Sequence, residues 1–174
     1  VTYLLDNNVI SFFWNRRREK DLAAAATKVA LAIVQEVRDE AARHPTYGAR
    51  FGKWLPGTQI ACLGIALGSK AHVVLAELTK AQTTTKDMGE RASVALASTM
   101  PELVFVTHDK NATVLAHHEL FERGERVIGL AVFLRRLAED AGTSPVALDD
   151  VMQVSQLDKR LPTWWPSWRA TLPP

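Results

Sequence analysis

The chain has one cysteine, Cys62, among 174 residues, which excludes an intramolecular disulfide and with it the cross-linked scaffolds of small secreted proteins. Glycine (9) and proline (8) are too sparse for a collagen-like chain, and 47% hydrophobic residues are too many for a disordered one. Neither sign of charge dominates: 21 Lys and Arg stand against 19 Asp and Glu, so net charge alone demands no polyanionic partner. Long hydrophobic runs are missing too. The uncharged stretch Leu55–Ser69 is broken by Pro56, Gly57, Gly64 and Gly68 and falls short of the ~20 apolar residues of a membrane span, so no membrane partner is expected. The first residues lack the basic, apolar and small-residue regions of a signal peptide, which makes a cytoplasmic setting the expectation. CxxC and HExxH metal spacings and the GxGxxG and GxxxxGK[ST] phosphate loops are likewise absent.

What is present is an alternation of short apolar runs with helical stretches, the pattern of an α/β protein whose central parallel sheet is flanked by helices on both faces. Thr2 to Leu5, the VALAIV run and LVFVT read as buried strands, IACLGIAL as a strand weakened by Gly64, and VIG as a short one leading into a helix that Gly142 closes. QEVRDEAAR places Val37 and Ala41 on one helix side and acids on the other, and GERASVALAS gathers Ala92, Ala95 and Leu96 before Pro101 stops it. Ser144 and Pro145 mark the start of a further helix. Residues 44–57, with three Gly, two Pro, Tyr, Phe and Trp, predict a loop or insertion packed by its own aromatics. A main domain over residues 1–158 is followed by a Pro/Trp-rich tail over 159–174. Its four Pro forbid a continuous helix, and Trp164, Trp165 and Trp168 need a surface: the domain, a second subunit or a stacked base.

Ligands gather at the carboxyl ends of parallel strands, and there the sequence supplies acids. Asp6 follows the first strand, Asp109 follows LVFVT, Glu36 opens the helix after VALAIV and Glu90 opens the helix before LVFVT. Four converging carboxylates repel one another unless a cation joins them, and oxygen-only ligation points to Mg²⁺ or Mn²⁺. Such an ion, activating water and neutralising charge on a phosphate, suits phosphodiester hydrolysis.

YLLDNNVIS, IVQEVRDE, GERASVALAS and LVFVTHDKNA, in that order, resemble the four acidic motifs of PIN-domain nucleases, over about residues 1–140. ERVIGLAVFLRRL is similar to the late strand and helix of one bacterial and archaeal branch (VapC-like). The resemblance implies a three-layer α/β/α fold and a metal-dependent ribonuclease with Asp6, Glu36, Glu90 and Asp109 as catalytic and metal-binding residues. It also implies that Asn8 and Thr107 orient carboxylates or water, that an antitoxin protein is a partner and that the chain is a homodimer. Asn7 and His108 depart from the residues usual at their positions.

Each residue also has a plainer reading. Asp6 and Asp109 suit helix caps, Glu90 suits the positive end of a helix dipole, and Glu40 competes with Glu36 on the same acidic face. Arg16, Arg17 and Arg18 suit RNA phosphates or a solvated face, and His108, His117 and His118 suit packing or surface roles. The expectation drawn from all this is a Mg²⁺/Mn²⁺-dependent endoribonuclease acting on RNA. The alternative is a PIN-like module that binds RNA or protein without cutting.

Overall fold

The computed structural model describes residues 1–80, 87–120, 126–155 and 162–172. Five strands, β1 (Thr2–Leu5), β2 (Ala30–Val34), β3 (Ala61–Leu63), β4 (Leu103–Thr107) and β5 (Val127–Gly129), form one parallel sheet in the order β3-β2-β1-β4-β5. Leu4 and Leu5 point to opposite faces, as successive strand residues must, and both are fully buried. Ile33 with Val34 and Phe105 with Val106 repeat the pattern, so helices cover both faces and the architecture is the three-layer α/β/α expected.

The first half runs β1, α1 (Asn7–Asn15), α2 (Glu19–Ala25), β2, α3 (Gln35–Ala42), α4 (Gly48–Trp54) and, past β3, α5 (Lys70–Thr79). The second half runs α6 (Met88–Thr99), β4, α7 (Lys110–Leu120), β5, α8 (Leu130–Ala141), α9 (Pro145–Ser155) and α10 (Trp165–Arg169). From β1 the chain winds outward to β3, then crosses back to β4. The winding reverses at the β1/β4 pair, whose register sets Leu5 against Val106 and so brings Asp6 beside Thr107 at the carboxyl edge.

Two stretches differ from the sequence expectation. Residues 44–57 hold α4 and a short 3₁₀ turn, Leu55–Gly57, rather than a loop. The helix forms because Phe51 and Trp54 pack on Trp14 of α1 at 6.2 and 5.5 Å, while Tyr47 stacks on Trp14 at 5.3 Å. A ring from another element thus organises these aromatics. The second stretch is β3, only three residues long, because its pairing with β2 stops at Leu63 before Gly64.

The tail packs on the domain. Trp165 is buried, Trp168 lies 4.9 Å from it, Arg135 of α8 sits 5.9 Å from the Trp164 ring, and Arg169 Nε donates to Asp149 Oδ2 at 2.8 Å. The expected boundary between residues 158 and 159 lies outside the described residues. No helix among the described residues is long and apolar enough to cross a membrane.

Candidate functional site

A cavity of about 980 Å³ opens at the carboxyl edge of the sheet, where the winding reverses. Asp6, Glu36, Glu90 and Asp109 all line it, each beside the amino-terminal end of a helix: α1, α3, α6 and α7. Asn8 lines it as well. Three further acids, Asp39, Glu40 and Asp87, and one cation, Arg43, complete its charged lining. The spacing of Glu36, Asp39, Glu40 and Arg43 is the signal that finds three of these, Asp39, Glu40 and Arg43, since positions three and four apart share a helix face; Asp87 precedes α6 and has no such signal.

Backbone and hydroxyl groups engage three of these carboxylates, Asp6, Glu40 and Asp109. Asp6, 2% exposed, accepts from Asn7 N at 2.7 Å on Oδ1 and from Thr107 Oγ1 at 2.8 Å on Oδ2, with Asn8 Nδ2 at 3.5 Å. Thr107 Oγ1 in turn accepts from Asp109 N at 3.1 Å, linking the ends of β1 and β4. Asp109 Oδ1 accepts from Asn111 N and Ala112 N at 2.6 and 3.0 Å, the geometry of a side chain capping α7. Glu40 Oε1 accepts from Gly89 N at 3.0 Å, so a glutamate on α3 caps α6. Gly89 permits this approach, because a Cβ there would lie 2.8 Å from Val37 Cγ2 and 3.0 Å from Glu40 Oε2. Glu36 Oε2 and Asn7 Oδ1 are enclosed and accept no hydrogen bond among the described residues.

Burial pushes the Asp6 carboxyl up to about 6, with the hydrogen bonds from Thr107 and Asn7 opposing it and the charges of Glu40 and Asp109 adding to it. Burial, then the charges of Asp6, Asp109, Asp87 and Glu40, pushes Glu90 up to about 8. Glu40 is also raised, by burial first, against the hydrogen bond from Gly89. Glu90 is therefore mostly protonated at neutral pH.

These observations correct the sequence expectation of a metal centre. Among the described residues no group of three or more His, Cys, Asp or Glu side chains is disposed to hold a metal ion. The four expected ligands share a cavity without forming a chelating set, and Asp6 and Asp109 are turned to cap helices. The expected Mg²⁺ or Mn²⁺ cofactor, the metal-dependent ribonuclease activity and the hydrolase assignment are all overturned by that geometry. Asn8 and Thr107 do stand beside Asp6, but they satisfy a cap and a strand end.

The arginines expected to meet RNA divide. Arg18 pairs with Asp150 of α9, Nε to Oδ2 at 2.9 Å, and with Asp21, whereas Arg16 and Arg17 are exposed. His108 packs its ring edge-on to Phe12 at 5.3 Å.

No family model, no curated protein and no solved structure matches the chain. What the site does must therefore be argued from its own chemistry.

Proposed function

We propose that the chain is a PIN-like binding module whose acidic cavity receives a basic segment of a partner protein, without cutting nucleic acid. One observation carries the reading: seven carboxyl residues and a single arginine line the charged cavity at the winding reversal. RNA phosphates are repelled by such a surface, whereas a guanidinium offers five donors to the carboxylates that line it. Arginine suits the cavity better than lysine because its planar fork can meet two oxygens at once. An antitoxin-like protein that inserts an arginine is a partner of this kind. The setting we propose is cytoplasmic, where a lone thiol such as Cys62 stays reduced.

The test is fluorescence anisotropy of a labelled arginine-rich peptide in EDTA, beside the same peptide with lysine in place of arginine. Saturable binding is expected, tighter for arginine, weakening with salt and several-fold weaker in Glu36→Gln and Asp109→Asn. Affinity rises as pH passes from about 6 through about 8, because Asp6 and Glu90 then carry the charge that attracts the peptide. Absence of binding refutes the proposal. So does metal-dependent RNA cleavage by the purified protein that Asp6→Asn abolishes.

A further inference from the structure

A second cavity, of about 310 Å³, opens between helix α8 and the tail, and none of its lining residues belongs to the acidic one. Val132, Arg135, Arg136 and Glu139 supply one wall, a single helix face by their spacing of three and four, and Trp164 supplies the other. The tail is fixed on either side of this contact by the buried Trp165 ring and by the bond from Arg169 to Asp149 of α9. Trp165 thus finds its surface in the domain core, whereas Trp164 stays half-buried and lines the cavity. Arg135 is committed in part, since its Nε donates to Glu139 Oε1 at 2.7 Å and its guanidinium lies 5.9 Å from the centre of the Trp164 ring. Arg136 is exposed, and among the described residues it makes no ion pair and donates no side-chain hydrogen bond. Two guanidiniums against one carboxylate leave this lining positive, beside an indole and an aliphatic side chain.

We infer that this cavity binds a free nucleoside monophosphate, with its base against Trp164 and Val132 and its phosphate on Arg136, assisted by the outer nitrogens of Arg135. Size, ring chemistry and charge select that ligand. The volume lies at the lower end of the ~300–1,000 Å³ of small-molecule sites, which suits one nucleotide unit. An indole accepts any flat heteroaromatic ring, and a guanidinium beside it stacks on the same ring. A phosphate monoester brings three oxygens and a charge of about −1.5 to −2, enough for both guanidiniums, whereas a carboxylate brings two oxygens and one charge. Glu139 is paired with Arg135, so it holds the Arg135 plane in place and leaves Arg136 as the principal cation for the phosphate. Helix α8 carries no cation besides these two, and its next charges are Glu139 and Asp140. A longer RNA strand therefore gains no second phosphate contact along this helix.

The test is isothermal titration calorimetry of the full chain with AMP in EDTA, beside adenosine, inorganic phosphate and a short RNA carrying a 5′-phosphate. Saturable one-to-one binding of AMP is expected, with adenosine and inorganic phosphate each weaker by about tenfold or more. Arg136→Ala and Trp164→Ala should each weaken AMP binding about tenfold, and Trp164→Phe should keep part of the affinity because a phenyl ring still stacks. Arg136 is exposed, so its replacement leaves the fold intact and tests the site even where Trp164→Ala loosens the tail; circular dichroism checks every variant. Absence of saturable AMP binding at millimolar concentration overturns the inference. AMP binding that Arg136→Ala leaves unchanged overturns it equally, since the phosphate must then sit elsewhere. RNA that binds through Arg136 far more tightly than AMP also overturns it, because the ligand is then a polymer.

Discussion

Replacing Glu90 by Gln removes the most perturbed charge in the cavity while keeping the shape of the side chain. Between pH 4.5 and about 8 the folded chain retains a proton on Glu90 that the unfolded chain has released. Stability therefore falls as pH rises through that window, and the carboxyl costs nothing below pH 4.5, where both states are protonated. Asp6 adds a smaller loss in the same direction between 3.8 and about 6. At about 1.4 kcal/mol per pKa unit, the displacement of Glu90 corresponds to about 5 kcal/mol without screening. The cavity is open to water, and screening brings the effect to about 2 kcal/mol. Glu90→Gln should then match wild type near pH 4 and exceed it above pH 8.5 by about 2 kcal/mol, or about 4–8 °C in melting temperature for a chain of this size. Urea unfolding across pH, read by circular dichroism, measures this. Coincident pH profiles for the two proteins would refute the electrostatic account of the cavity, and a Glu90→Gln variant less stable than wild type at pH 9 would reverse its sign.

Trp165→Ala should cost about 3–5 kcal/mol in urea unfolding, since the ring is almost wholly enclosed; a loss below about 1 kcal/mol would mean that the tail is not held by its tryptophans. Arg18→Ala should cost under about 1 kcal/mol, because Arg18 and Asp150 are each about a third exposed and solvent weakens their attraction. Gly89→Ala should destabilise by about 1–3 kcal/mol, as the new methyl meets Val37 and the Glu40 cap, and an unchanged unfolding midpoint would show that the two helices have room to part.

Strands β1 and β4 are legible in the sequence because aliphatic and β-branched residues fill both their faces, which only a covered parallel sheet can bury. The helix α4 is not, because Gly48 and Gly52 weaken its own propensity and its stability comes from Trp14, more than thirty positions earlier. Gly142 ends α8 with φ of 62°, as its place in the sequence suggests. At the site, sequence order places Asp6, Glu36, Glu90 and Asp109 around one cavity, since strand ends and helix starts fix where each backbone goes. It does not tell whether a carboxylate turns inward to a shared cation or sideways to a helix end. For Asp109 the nearby N–H groups of Asn111 and Ala112 decide, and for Glu40 the partner is an amide 49 positions away.

That reach from Glu40 to Gly89 bears on the timescale of motion at the cavity. Helix α6 supplies one wall, yet nearly every residue from Gly89 to Ser98 is buried between neighbouring elements. Such a wall cannot swing or fray while the domain stays folded. Amide hydrogen exchange along α6 should therefore proceed only through global opening and run far slower than at the exposed β3 edge. A partner entering the cavity meets a mould already set, and the adjustment that accompanies association falls to the partner's own chain.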